Sequence, residues 1–330
     1  MMERTELVLP DLISICPFPW SPSPHHARAS YESLQWADSY NILTDRKRSF
    51  AIIKDVSILA SYAYSYAEYD EFRTCVDLLV VLFILDEISD SQDEDGVRKT
   101  EDIVRRALSG QECDGSPLSR LVNSFMLRMA KAAPLCQKRF IQHCTEYFSA
   151  VVDEADFRSK DVFCDIEEFF LRRRDNGGAK PCFDLFEYIM GFEIPEPVFH
   201  DADFVTCLES ANDLICLAND LYSYAVEHEK HLDRNNAIEI LKRTKGVSVQ
   251  EAADWIETKF KELLQTYLQA KDRMCSFGSD VDVMVDKYLH GAEQWVGANL
   301  DWSFDCQRYF GENHIEIKKI LKVNIKSTIS

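Results

Sequence analysis

Residues that interrupt helices are scarce in this chain. Glycine accounts for 11 of 330 positions, about half its usual share of roughly 7%. Five of the ten prolines fall between Pro10 and Pro24, and none follows Pro197. A proline-free run from Val198 to Ser330 suits long helices, because proline removes a backbone donor and clashes with the preceding turn. Positive charge is also short: 37 Lys and Arg stand against 56 Asp and Glu, a net charge of −19. Such a chain repels nucleic acid and anionic membrane, so neither is expected as a partner. An anionic substrate must then be held by local positive charge, which screening beyond roughly 8 Å permits at physiological salt. Long apolar runs are missing as well. The longest, Leu78 to Leu85, has eight residues, against the ~20 that span a bilayer. No two of the eleven cysteines form a C-x-x-C pair. Their odd number, irregular spacing and the absence of a signal peptide argue against a disulfide framework and imply reduced thiols in a cytoplasmic protein.

What is present supplies a large core, with 46% hydrophobic and 12% aromatic residues. Residues 1–28, including the Pro-rich CPFPWSPSPHH stretch, read as an extended, partly ordered arm, and residues 29–330 as one domain without internal repeats. Beyond the arm the pattern is helical nearly throughout, with breaks expected at residues 90–96, 109–117, 176–181, 192–197 and 243–248. One helix start is explicit, since Ser248 and Glu251 have the spacing of a capping box. Apolar residues then follow at Val249, Ala252, Ala253, Ile256, Phe260, Leu263, Leu264, Tyr267 and Leu268, the 3.6-residue period. Two segments, Val76–Leu85 and Leu208–Tyr224, are apolar on almost every side, which places them centrally in a bundle. Both nevertheless end in or contain carboxylates. Acids on such helices are costly unless paired or metal-bound.

The first acidic stretch runs from Phe83 through Asp86 and Glu87 to Asp90. Residues four apart project from one helix face, so Asp86 and Asp90 lie about 40° apart, with Phe83 one turn earlier. Two hard oxygen ligands at the end of an apolar helix suit Mg²⁺, which completes its shell with phosphate and water. The same residues also suit a helix end fraying into a solvated acidic loop, although the macrodipole disfavours negative charge there. In the second stretch, Asn219, Ser223 and Glu227 step by four, spanning about 12 Å on one face. Amide, hydroxyl and carboxylate oxygens together make a hard-cation site; the alternative is a polar stripe facing water. The neighbouring Asn212-Asp213 pair would recruit Cys216 at the same spacing, and a thiol suits Mg²⁺ poorly.

Together these stretches resemble the paired metal-binding motifs of class I terpene synthases, especially microbial and fungal sesquiterpene cyclases. That family carries a D-D/E-x-x-D segment on one helix and an N/D-D-L/I/V-x-S/T-x-x-x-E segment on a facing helix. Here Asp86 and Asn219 are 133 residues apart, and both motifs are complete, with Glu87 in place of the commoner second aspartate. The family's diphosphate-sensing arginine lies 46 residues before the Asn, which selects Arg173 from the triplet Arg172-Arg173-Arg174. Without that spacing three arginines are an ordinary solvated face. Asn176 stands where the family usually has threonine or aspartate as the link from sensor to effector, and the effector position is Gly177. The family's C-terminal Arg-Tyr pair is matched by Arg308-Tyr309, preceded by Trp302-Ser303.

The resemblance covers roughly residues 30–312 and implies an all-α fold, a single-domain helical bundle around a central apolar cavity. It further implies three Mg²⁺, held by Asp86, Asp90, Asn219, Ser223 and Glu227. Arg173, Lys230, Arg308 and Tyr309 would bind the substrate diphosphate. Phe83 and Trp302 would line the cavity and face the carbocation, with Tyr62, Trp295 and Tyr288 as further candidates. Farnesyl diphosphate is the expected substrate, a sesquiterpene hydrocarbon or alcohol the product, and monomer or homodimer the expected state. The rival readings are a mono- or diterpene synthase, a prenyl diphosphate synthase and a non-catalytic isoprenoid-binding protein. A di-iron bundle is excluded, because no histidine has glutamate three residues before it. His200-Asp201, which could suggest a phosphohydrolase, follows Pro197 where Asp simply caps a helix.

Overall fold

The computed structural model describes residues 4–43, 45–89, 91–112, 114–160 and 163–326. Its helices in chain order are α1 (Leu12–Ile15), α2 (His26–Asp38), α3 (Arg46–Ala63), α4 (Tyr69–Ser89), α5 (Glu94–Leu108), α6 (Pro117–Met129) and α7 (Pro134–Lys160). There follow α8 (Ile166–Asn176), α9 (Ala179–Met190), α10 (Ala202–Lys230), α11 (Ala237–Lys245), α12 (Val249–Arg273), α13 (Ser279–Asp305) and α14 (His314–Ile320). The protein is therefore helical as expected, and all five expected breaks coincide with helix ends. Local chemistry sets those ends. Asp201 accepts from the N–H groups of Asp203 and Phe204, both at 3.0 Å, so it caps α10 and needs no hydrolytic role. Ser248 and Glu251 form both halves of the capping box on α12.

α10 packs against α12 and α13, α13 against α3, α3 against α4, and α9 against both α4 and α7. Every residue from Phe72 to Leu82 on α4 and from Ser210 to Ala218 on α10 is buried. These helices have no solvent face for most of their length, the reason their sequences are not amphipathic. On α12 the apolar stripe is buried from Ala252 to Tyr267, but Leu268 rotates off the packed face and is 44% exposed. No described helix is long and apolar enough to cross a membrane. Of the ten described cysteines, seven are buried and all are free.

The sequence pattern gave no sign of strands, yet β1 (Arg4–Val8) pairs antiparallel with β2 (Lys322–Lys326), joining the two ends of the chain. The pairing buries Leu7, Val323 and Ile325. Each segment has only five residues, too short to show a clear period of two. Residues 9–24 then pack on the bundle, with Leu9, Leu12 and Phe18 buried.

Candidate active site

Asp86 lies in the last turn of α4, where the helix emerges from the core, and its side chain is 47% exposed. It accepts a hydrogen bond from Arg308 Nη2 at 3.2 Å. The Arg308 guanidinium also sits 4.7 Å over the Phe83 ring, as a cation on an aromatic face. Burial works against the charge of Arg308, but Tyr309 and Asp86 outweigh it and hold its pKa above the ordinary value. Glu87 points elsewhere, to an ion pair with Arg48 of α3. Asp90 lies outside the described residues.

The second motif faces this end of α4 from α10. Asn219 donates from Nδ2 to the Tyr309 hydroxyl at 2.7 Å and accepts at Oδ1 from Arg173 Nη2 at 2.8 Å. Arg308 and Tyr309 are adjacent in the chain, so one short segment after α13 touches both motif helices. Ser223 is buried, and beyond its proximity to Glu227 its hydroxyl has no well-formed hydrogen bond among the described residues. Glu227, one turn further, accepts from Asn236 Nδ2 at 3.0 Å. Burial, reinforced by nearby Asp220, raises its carboxyl from an ordinary 4.5 to about 7, against the lowering effects of Ser223, Asn236 and Arg173. A cation would relieve both anomalies, since it offers the Ser223 oxygen a partner and favours the ionised Glu227. All the donors are oxygens, the set that a hard divalent cation takes. Lys230 lies at the exposed end of α10.

The three arginines of α8 have separate fates. Arg172 pairs with Glu168 on its own helix and covers the Phe157 ring. Arg174 is bound in a fork to Asp213, Nε to Oδ1 and Nη2 to Oδ2, each 2.8 Å. Only Arg173 enters the site. Its Nε and Nη2 donate to Asp220 Oδ1 at 3.1 and 2.9 Å, and its Nη1 reaches Asn176 Oδ1 at 3.3 Å. Burial alone would disfavour its charge, but the Asp220 carboxylate overrides this and pushes the pKa above that of a free guanidinium. Asn176 in turn donates to Glu154 Oε2 at 3.1 Å.

The end of α8 is seated directly on α10. Asn212 Nδ2 donates to the Arg174 carbonyl at 2.8 Å, and Cys216 Sγ donates to the Arg173 carbonyl at 3.6 Å. The register rejected for metal binding thus braces the end of α8. A Cβ on Gly177 would lie 2.5 Å from Cys216 Sγ, so only glycine allows this approach. Gly178 follows at φ 72°, in the left-handed region, and turns the chain into α9. Tyr147 packs against that turn and is electrostatically coupled to Asp86, Glu154 and Arg173.

Trp302 meets Phe83 and Tyr309 edge to face, with centroids 6.1 and 5.7 Å apart. Its indole N–H donates to the Asp55 carbonyl at 2.7 Å. The other aromatic candidates lie apart from this group. Tyr288 belongs to a cluster with Phe186, Phe199 and Phe204. Trp295 lies edge-on to Tyr64, and Tyr62 stacks on Trp20. Sequence reasoning left Asp220, Glu154 and Tyr147 without roles. Asp220 had a signal, as the second member of Asn219-Asp220; Glu154 and Tyr147 had none beyond helical spacing.

If Arg173 holds phosphate oxygens through its planar fork, Arg173→Lys should slow turnover about 10- to 150-fold, since each charge-assisted bond is worth roughly 1.5–3 kcal/mol. Arg172→Lys should stay within about threefold, because its contacts are on the surface. Arg174→Lys should also keep its turnover within about threefold but lower the melting temperature, because the fork to Asp213 is lost. Equal losses of steady-state rate across the three variants would mean a diffuse basic patch rather than a sensor.

The bundle thus brings together two oxygen-rich motifs, bridged by an Arg-Tyr pair and flanked by a braced arginine. Residues 77–266 match the family described as terpene synthase family 2, C-terminal metal binding. The chain is 32% identical, over 96% of its length and 94% of the relative's, to sesquiterpene synthase 1 of Postia placenta. It is 36% identical, over 97% of its length and 93% of the relative's, to a Coprinopsis cinerea protein named linoleate 10R-lipoxygenase COP4. Among solved structures, linalool/nerolidol synthase from Streptomyces clavuligerus, in complex with 2-fluorogeranyl diphosphate, superposes with a TM-score of 0.78 at 19% identity. That match covers 89% of this chain and 98% of the other. The chain belongs to the class I terpene synthase family. It is a terpene cyclase with a metal cofactor.

Proposed function

We propose that this enzyme is a sesquiterpene synthase that ionises farnesyl diphosphate with Mg²⁺ and cyclises the resulting carbocation. The observation that carries the reading is the Arg308-Tyr309 segment, which contacts Asp86 on one motif helix and Asn219 on the other. Asp86, Asn219, Ser223 and Glu227 would hold magnesium, with Asp90 as a further ligand. Bound magnesium supplies positive charge that stabilises diphosphate as a leaving group. The protein's own groups do the rest. Arg173 and Arg308 are fixed donors for phosphate oxygens, with Tyr309 beside them and Lys230 available from the rim. Donors already in place need little reorganisation as charge builds on the leaving group. Asn176 and Gly177 link Arg173 to the α8–α9 turn, so a shift of the arginine toward diphosphate would be felt there. Phe83 and Trp302 offer aromatic faces to the cation beside the ionisation end. The single-domain size and the sesquiterpene synthase from Postia placenta support the C15 substrate.

Incubation with the C10, C15 and C20 isoprenyl diphosphates plus Mg²⁺, with products read by gas chromatography, tests this directly. Turnover of the C15 substrate to a sesquiterpene is expected; no diphosphate release from any substrate would overturn the reading.

Magnesium and inorganic diphosphate together should raise the melting temperature, whereas either alone should do little, because each supplies the charge the other needs. Binding should also release a proton. Glu227 titrates at about 7 in the folded protein and must ionise to ligate a cation. Proton release beyond that of diphosphate binding Mg²⁺ in free solution, measured by calorimetry in buffers of different ionisation enthalpy, should be large near pH 6 and fade as pH rises well above about 7. In the ligand-free protein the sign is opposite to that of a salt-bridged acid. A raised carboxyl pKa stabilises the fold fully below about pH 4.5, and that contribution is lost as pH rises through about 7.

A further inference from the structure

The N-terminal arm crosses the outer face of α13, the helix that carries Trp302 and leads into Arg308 and Tyr309. It does so where the helix has no side chain, since a Cβ on Gly297 would lie 2.3 Å from the Phe18 carbonyl oxygen. Two residues on, Trp20 stacks on Tyr62 of α3 with ring centroids 3.7 Å apart and planes at 23°. Its indole N–H donates to Asp301 Oδ2 at 2.7 Å. The Tyr62 hydroxyl donates to Asp305 Oδ2 at 3.1 Å. Lys318 of α14 then bridges the two acids, 2.8 Å from Asp301 Oδ1 and 2.8 Å from Asp305 Oδ1. Asp301 and Asp305 are one turn apart on one face of α13, and each is held from outside the helix by two other elements. Asp305 precedes Arg308 by three residues. The start of the arm is anchored too: Leu9 N–H donates to the Leu321 carbonyl at 2.7 Å, and Gln250 of α12 bonds both the N–H and the C=O of Val8.

We infer that Trp20 is a positioning residue for ionisation, acting through Asp301, Tyr62 and Asp305 to fix the last turn of α13 and so place Arg308 and Tyr309 between the motif helices. The arm is thus part of the enzyme's ionisation machinery. The physical reason is leverage. Arg308 follows the helix end directly, and its guanidinium must stay over Phe83 while facing Asp86. A small displacement of groups that must meet a reacting centre costs far more in rate than in stability. An arm that merely adds buried area would instead lower the melting temperature and leave turnover of the folded enzyme unchanged.

The inference rests on the reading of Arg308 as a diphosphate ligand, and the experiment separates the two. Trp20→Ala, Trp20→Phe, Tyr62→Phe, Arg308→Lys and the double variant Trp20→Ala/Arg308→Lys are assayed with farnesyl diphosphate and Mg²⁺, well below every melting temperature. Trp20→Ala should lower kcat about 10-fold with KM within about twofold, since positioning is lost but substrate contacts remain. Trp20→Phe keeps the stack without the indole bond and should recover part of the rate. Tyr62→Phe, which removes one hydroxyl and is the mildest change to the fold, should lower kcat in the same direction. The double variant should lose no more than about twofold beyond Arg308→Lys, because the two changes act through one group. Multiplicative losses, or Trp20→Ala and Tyr62→Phe variants that melt earlier but turn over normally, would overturn the inference. Wild-type turnover by Arg308→Lys would overturn the reading of the site as well.

Discussion

Replacing Asp86 with alanine should leave a folded protein whose turnover is reduced about 10³-fold or more, the upper end of what one electrostatic group at a reacting centre is worth. Stability should hardly change. The Asp86 side chain is 47% exposed and its one ion pair, to Arg308, is 3.2 Å long; exposed pairs of this kind contribute about 0–1 kcal/mol. Loss of the acid also relieves repulsion with the other carboxylates around the site. Circular dichroism and the melting temperature should therefore match the parent while steady-state release of diphosphate collapses. Near-normal turnover would sink the assignment of α4 as a metal helix.

Asp220→Ala should do the reverse in its first effect, lowering stability by about 3–5 kcal/mol, as expected when one partner of a buried ion pair is removed. Asp220 is almost fully buried and accepts from Arg173 through two nitrogens at Oδ1 and from the Ala237 N–H at Oδ2, 3.1 Å. Alanine would leave the Arg173 guanidinium without its carboxylate and the start of α11 without an acceptor. A loss of that size corresponds to a fall in melting temperature of roughly 5–15 °C for a large domain. Asp220→Asn keeps an oxygen acceptor and should lose less. Thermal unfolding of the two variants beside Asp86→Ala distinguishes a structural acid from a working one. An unchanged melting temperature in Asp220→Ala would show that Arg173 is held by other groups.

The contrast between these two aspartates shows how far the sequence could be read. Both follow apolar helices and both sit in acidic motifs, so residue type and spacing are alike. Periodicity put Asp86 on one face with Phe83, and Asn219 on one face with Ser223 and Glu227, because an α-helix fixes those angles whatever surrounds it. The resemblance to class I terpene synthases, through the family's 46-residue spacing counted back from Asn219, singled out Arg173 from its neighbours. It could not show that Arg173 is already engaged by Asp220, because that contact joins α8 to α10. Nor could it show that Asn212 and Cys216 hold the end of α8, or that Asn176 is tied to Glu154 across the gap to α7. Each of these is a meeting of side chains from separate helices, whose angles and separations no local pattern contains.

Helix content, the positions of the breaks, the caps at Asp201 and Ser248, and the central place of α4 and α10 were determined by sequence alone. They depend on backbone chemistry within a few residues and on where apolar side chains recur. Tertiary structure decided the pairing of the two chain ends as strands, the burial of the arm, and the divergent environments of Phe83, Tyr62, Trp295 and Tyr288. These aromatics look equivalent in a sequence, because any of them lowers its free energy by leaving water. Which one meets Arg308, which stacks under Trp20 and which fills the core follows from how α3, α4, α9 and α13 cross. Those crossings are set by the packing of the whole molecule.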